Sequence, residues 1–352
     1  MVKKKYSNSG VDGASGYEFQ KHCVLYIFLE QYNEIKDKKY FICLEHYEDF
    51  LFCYLTEDEL IEQIQTYQAK KSSKKWTMTS DFQDIIKKIL EVGVDLKNDM
   101  TSKTTDYSHN LHFLSNHEIS LKKKKIENTI NERNETLKYN QLYQEIKDEL
   151  LSLTDIDTKN ELEHLLFKYI DLGKKHKTQE QLLIGMFNDI FRSKVRDHKA
   201  SVYTLLSLFR DVENTLNQGS IVALMDKTKR VESEKINKAL SIITTQQKAF
   251  EDWKSKKDEY SKVLNLNPFK HKQFENAYEN AFEYLKDLEQ IEHQKIFAFI
   301  KANIPEDCTS DIECLEKIIN QYKEKYNTQF DDITVKAIIL ASYIQLKEEG
   351  VE

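Results

Sequence analysis

The chain has 352 residues, with 52 Lys and Arg against 59 Asp and Glu, a formal net charge of −7 and a mean hydropathy of −0.64. Its 8 glycines and 2 prolines make up about 3% of the residues, where roughly 12% is usual, which excludes collagen-like and linker chains and speaks against an all-β sandwich. Hydrophobic residues at 40% can fill a core, charged residues at 32% point to long solvated helices, and the acidic total taken alone argues against a nucleic-acid binder.

The first residues, Met1 to Ser7, are basic without a following unbroken apolar stretch, so no leader is expected. The apolar run 23–29 is too short to span a bilayer. Five cysteines (Cys23, Cys43, Cys53, Cys308 and Cys314) form an odd set with no CxxC pair. That argues against a disulfide framework or a thiolate zinc site and for a cytoplasmic protein.

A helix is predicted over 18–32, with Phe19, Cys23, Tyr26 and Ile27 on successive turns. Two compact β-prone runs follow at 40–44 and 50–55, then an alternating strand over 64–70. A second helix is predicted over 81–92, and residues 111–114 read as a last short strand. The order is helix, three strands, helix, strand. Beyond Ser120 the apolar spacing turns helical over 127–153, 159–175, 179–196, 201–217, 232–263, 272–304 and 311–349, with polar breaks at 154–157, Gly173 and 217–219. The chain divides into an α+β core at 1–120, a helical extension at 121–225 and a C-terminal helical domain at 226–352. Charge divides too: residues 1–125 hold 19 basic and 19 acidic side chains, and residues 126–352 hold 33 and 40.

In the core, Asp49 opens a hydrophobic strand, while Gln68 and Lys70 stand two apart on another and so share a face. A carboxylate, an amide oxygen and an ammonium suit metal-dependent phosphodiester hydrolysis. The oxygens can hold Mg²⁺ (or Mn²⁺), and the lysine can orient water and offset phosphate charge. The same residues also occur as ordinary surface groups. Gly16-Tyr17-Glu18-Phe19-Gln20, then Leu44-Glu45 with Glu48-Asp49, then Gln68-Ala69-Lys70, resembles the PD-(D/E)xK nuclease superfamily. Within it, the pattern is similar to the double-stranded DNA endonuclease effectors of bacterial antiphage systems, the CBASS-associated nuclease and the Lamassu nuclease subunit. The resemblance covers about residues 10–120, where Leu114-Ser115-Asn116 also fits a later core strand.

The resemblance implies a restriction-endonuclease-like fold and a catalytic set of Asp49, Gln68 and Lys70, with Glu18 or Gln20 assisting. It implies Asp49 and Gln68 as metal ligands, with Glu45 as the fallback acid. Gln68 departs from the commoner acidic ligand, and the Glu48-Asp49 pair leaves the exact ligand open. No cyclic-nucleotide sensor domain is matched, which favours activation by a partner. The expected partners are double-stranded DNA and the sensor or ATPase subunits of a defence complex, SMC-like or HerA-like, with homo-oligomerisation on activation. The alternative is a helical scaffold whose nuclease domain is degenerate.

Lys71, Lys74 and Lys75, with Trp76, follow the QxK run and could hold a DNA backbone or simply be a solvated turn. The block Lys122–Lys125 reads as a solvated helix start. His109, His112 and His117 read as an incidental cluster. The stripe Phe274, Tyr278, Phe282 and Leu285 is core or a partner surface. P-loop, GxSxG and GxGxxG motifs are absent.

Overall fold

The computed structural model describes residues 9–195, 197–213, 224, 227–286, 290–305, 307–325 and 328–349. The expected break at 217–219 and the boundary at 225/226 lie outside those residues. The chain falls into two compact units, Met1–Ile190 with Val202–Ile236, and Phe191–Ser201 with Asn237–Glu352.

The first unit opens on α1 (Ser9–Ile35) and continues into an antiparallel meander of β1 (Lys39–His46), β2 (Glu48–Leu55) and β3 (Ile61–Lys70). After the short β4 (Trp76–Thr77), α2 (Ser80–Asn98) crosses over to β5 (Lys103–Ser115), which pairs parallel to β3. The expected order of helix, three strands, helix and strand is present. The Gly16–Gln20 run lies inside α1 rather than at its start. Thr79 caps α2 by accepting from the Phe82 amide, and Phe82, Ile86, Ile89, Leu90 and Leu96 bury one stripe against the sheet. Gly93 sits in that stripe because a Cβ there would meet Glu161 Oε2 at 2.4 Å and Leu111 Cδ1 at 2.9 Å.

Residues 119–169 correct the helical reading. They form β6 (Ile119–Lys123), β7 (Ile126–Ile130), β8 (Thr136–Lys138), the short α3 (Gln144–Leu151) and β9 (Leu165–Tyr169). β9 pairs parallel to β5 and antiparallel to β8, giving a seven-stranded order β10-β1-β2-β3-β5-β9-β8 closed at one edge by β10 (Arg230–Glu232); β4, β6 and β7 make a second small sheet. Helix-forming Glu, Lys and Leu fill 127–175, but Leu165, Leu166, Phe167 and Tyr169 are buried on both sides of a sheet interior. A short apolar run of this kind cannot be told from a helix by spacing. The strand expected at 111–114 runs for 13 residues and is not the last.

Farther on, α4 (His176–Phe191) and α5 (His198–Glu213) are followed by α6 (Ser233–Ser255), α7 (Lys257–Val263), α8 (His271–Lys286), α9 (Ile291–Ala302), α10 (Asp311–Lys325) and α11 (Asp332–Glu349). The second unit is a helical assembly around α11, which is buried on every face from Lys336 to Leu346 and packs against α8, α9 and α10. Phe274, Tyr278, Phe282 and Leu285 are all buried against Trp253 and the α11 side chains, so that stripe is core. Among the described residues no helix is long and apolar enough to cross a membrane.

Candidate functional site

The three parallel strands of the first unit end level. Lys70, the last residue of β3, is in register with Ser115, the last of β5, and Ser115 with Tyr169, the last of β9. Ser115 fixes this edge: its hydroxyl donates to the Lys70 carbonyl at 3.0 Å and accepts from Trp76 Nε1 at 2.9 Å, and its carbonyl accepts from the Ile170 amide at 3.0 Å. Because β2 runs antiparallel to β3, its first residues, Glu48 and Asp49, arrive at the same edge. The turn before them is tight, with Glu45 and Tyr47 at φ of 52° and 61°. In open α/β sheets the crevice outside the carboxyl ends of parallel strands is where ligands bind.

Asp49 is the centre of this edge. Its Oδ2 accepts the Ala69 amide at 2.7 Å and lies 3.9 Å from Lys70 Nζ, and the side-chain amides of Gln68 and Gln20 hydrogen-bond to the same carboxylate. Burial raises the Asp49 carboxyl above its usual range, and the Lys70 ammonium and these hydrogen bonds offset only part of that. Glu48 beside it is pushed up to about 8, first by burial and then by the charge of Asp49, against Lys70 and Lys88. Two oxygens here, Glu48 Oε1 and Gln20 Oε1, are buried without a hydrogen-bond partner. Two carboxyl groups, amide oxygens and unpartnered oxygens form a donor set that fits a hard divalent cation such as Mg²⁺.

Four of the residues singled out in the sequence (Asp49, Gln68, Lys70 and Gln20) therefore come together, and Glu48 joins them. Glu18 does not. It ion-pairs with Lys21 at 2.9 Å and Arg210 at 2.9 Å, and although burial opposes its ionisation these two cations bring its carboxyl down to about 2. Glu45 lies next to the last residue of β1, at a φ of 52°. Trp76 is no DNA-facing indole, because it packs on Phe82 and Phe113 and donates to Ser115.

A cleft of about 570 Å³ opens beside Asp49, lined by Gly16, Phe19 and Gln20 of α1, by Ala69 to Ser73, and by Lys174. Lys71, Lys74 and Lys75 are exposed on the turn after β3. Ser72 pins that turn, its amide donating to Asn116 Oδ1 at 2.9 Å. Lys174 also lines a neighbouring cavity of about 520 Å³ with Asn116, His117, Arg133 and Asp171. Sequence reading missed Lys174, because β9 was read as helix and the loop after it was not recognised as the next one at the shared strand ends.

The three histidines are separate. His112 is buried, stacked on Tyr67 at 4.3 Å and donating to the Thr66 carbonyl, and burial drops it to about 3. His117 lines the second cavity. His109 binds Glu161 at 2.7 Å, with Lys97 on the other Glu161 oxygen and the His164 ring 4.3 Å away and tilted by 37°. Comparison with protein-family models, with curated proteins and with solved structures gives no match to this chain.

Proposed function

We propose that the first unit is a metal-dependent endonuclease of restriction-endonuclease-like fold that hydrolyses the backbone of double-stranded DNA. The observation that carries this reading is the convergence of Asp49, Gln68, Lys70 and Gln20 at the carboxyl-end edge of the sheet, beside an open cleft. The order of α1, the meander and the crossover into a parallel β5 supports it, being the arrangement that the PD-(D/E)xK resemblance leads one to expect. Asp49, Gln68 and Glu48 would hold a Mg²⁺ or Mn²⁺ ion through their oxygens. A bound divalent ion supplies Lewis acidity, lowering the pKa of water and neutralising phosphate charge. Lys70 Nζ would hold the attacking water and a phosphate oxygen in place. Lys71, Lys74, Lys75 and Lys174 would bind the flanking backbone without reading sequence.

The resemblance further supports an effector role in a bacterial antiphage complex, held inactive until an SMC-like or HerA-like sensor subunit releases or clusters it. A second reading, a non-catalytic scaffold, is favoured by the Asp49 carboxylate, whose lone pairs already meet an amide, two side-chain amides and an ammonium. One experiment separates them: supercoiled-plasmid cleavage with Mg²⁺ or Mn²⁺ by the chain assembled with its operon-encoded partners. The nuclease reading expects cutting by wild type and a loss of about 100-fold or more in Asp49→Asn and Lys70→Ala. Equal cutting by all three, or none by the assembled wild type, refutes it.

A further inference from the structure

We propose that Glu18, His22 and His176 form a second cation site, for a borderline transition metal such as Zn²⁺, joining α1 to the first turn of α4. One ligand atom from each of the three lies within 4.8 Å of the others. The site shares no residue with the Asp49 cluster and stands whether or not that cluster cuts DNA.

The His22 tautomer is fixed by its surroundings. Gln179 Nε2 donates to the Gly173 carbonyl at 2.6 Å, which turns Gln179 Oε1 toward His22 Nδ1 at 2.7 Å. An oxygen acceptor there requires the hydrogen on Nδ1, so Nε2 carries a bare lone pair. That Nε2 is buried with no partner in a side chain that is 0% exposed. A buried acceptor left unpaired is a cost, and ligation removes it. Burial also holds the ring neutral, the form that binds metals.

His176 follows the same logic. Its Nδ1 lies 3.6 Å from Glu180 Oε2 and its Nε2 lies 3.7 Å from Glu18 Oε2, and its ring is 4.8 Å from that of His22. A carboxylate on one ring nitrogen with a metal on the other is the usual arrangement around ligating imidazoles. Tetrahedral zinc with bonds of about 2.0–2.1 Å sets its ligand atoms roughly 3.4 Å apart. The Glu18–His176 separation is already close to that, and both side chains are partly exposed. Two imidazoles and a carboxylate suit zinc, whereas Mg²⁺ favours oxygen ligands alone.

Glu18 keeps room for a metal. Its Oε1 meets Lys21 and its Oε2 meets Arg210, each at 2.9 Å, while a carboxylate offers about four lone-pair sites. The two cations repel an arriving metal, so removing one of them should tighten binding. A purely structural ion-pair network would not respond in that way.

The test is zinc binding by the full-length chain, read as metal per chain after gel filtration and as affinity by competition with a chromogenic chelator. The expected result is one zinc per chain that excess Mg²⁺ does not displace, with a rise in melting temperature on zinc addition. His176→Ala, at a half-exposed position that does not threaten folding, should weaken binding at least tenfold. His22→Leu should do the same, and Arg210→Gln should strengthen binding severalfold. The proposal is overturned if wild type holds no stoichiometric zinc or if His176→Ala holds it as tightly. It is equally overturned if the zinc is lost from His164→Ala instead, which would place it beside His109.

Discussion

Replacing Glu48 by Gln should stabilise the metal-free first unit at neutral pH and leave it little changed in acid. In the unfolded chain this carboxyl titrates near 4.5, while in the folded chain burial and the neighbouring Asp49 hold it near about 8. Between those values the folded chain keeps a proton that the unfolded chain has released. Stability therefore falls as pH rises, by about 1.4 kcal/mol per pH unit. The penalty is about 1 kcal/mol at pH 5 and about 3 kcal/mol at pH 7, so the advantage of the variant should grow by about 2–3 kcal/mol over that interval. Urea unfolding in chelator-containing buffer measures it. The two tryptophans fall one in each unit, so a Trp253→Phe background leaves half-buried Trp76 as the reporter of the sheet edge. Should the difference between variant and wild type stay constant within about 0.5 kcal/mol from pH 5 to 7, Glu48 ionises normally and its coupling to Asp49 is wrong.

Two further outcomes test other parts of the account. Changing Lys71, Lys74 and Lys75 together to Ser should weaken binding of unrelated DNA duplexes equally and flatten the salt dependence by up to about 0.9 per lysine; an unchanged slope in a fluorescence-anisotropy titration would remove them from the interface. Gly93→Ala gains helix propensity worth about 1 kcal/mol, yet its methyl would press on the Glu161 carboxylate and Leu111, so a net loss of about 1–2 kcal/mol is expected in Trp76-detected unfolding. A stabilised Gly93→Ala chain would show that α2 does not approach β5 so closely.

How much was legible in the sequence depended on where the signal sat. The alternating Ile64–Lys70 run and the apolar stripe of α2 declared strand and helix, because polar residues recur at every second position in the first and apolar residues recur at helical spacing in the second. β9 and β7 gave no such alternation, and each is only five residues long within a stretch rich in Leu, Glu and Lys, so tertiary pairing with β5 and β6 decided them. Gln68 and Lys70 were placed correctly together because a two-residue step preserves the face of a strand. Glu18 and Gln20 could not be told apart in the same way. They lie about 200° apart around α1, and only the packed partners reveal that Gln20 reaches Asp49 while Glu18 turns to Arg210.

Site assembly follows from that register more than from any single motif. Three parallel strands that end level must release their loops on one side. Lys71 to Lys75 after β3, Asn116 and His117 after β5, and Lys174 after β9 are therefore gathered although they span a hundred residues of sequence. The antiparallel β2 adds its two acids from the opposite chain direction. Net charge cannot report such an arrangement: the surplus of acid that gives −7 lies wholly beyond residue 125, while the cleft is lined by Lys70, Lys71 and Lys174 and by no acid, and the carboxyls of Asp49 and Glu48 are buried beside it. A polyanion approaching this edge meets the lysines first, and the buried acids, one of them holding its proton near neutrality, repel it less than their number suggests.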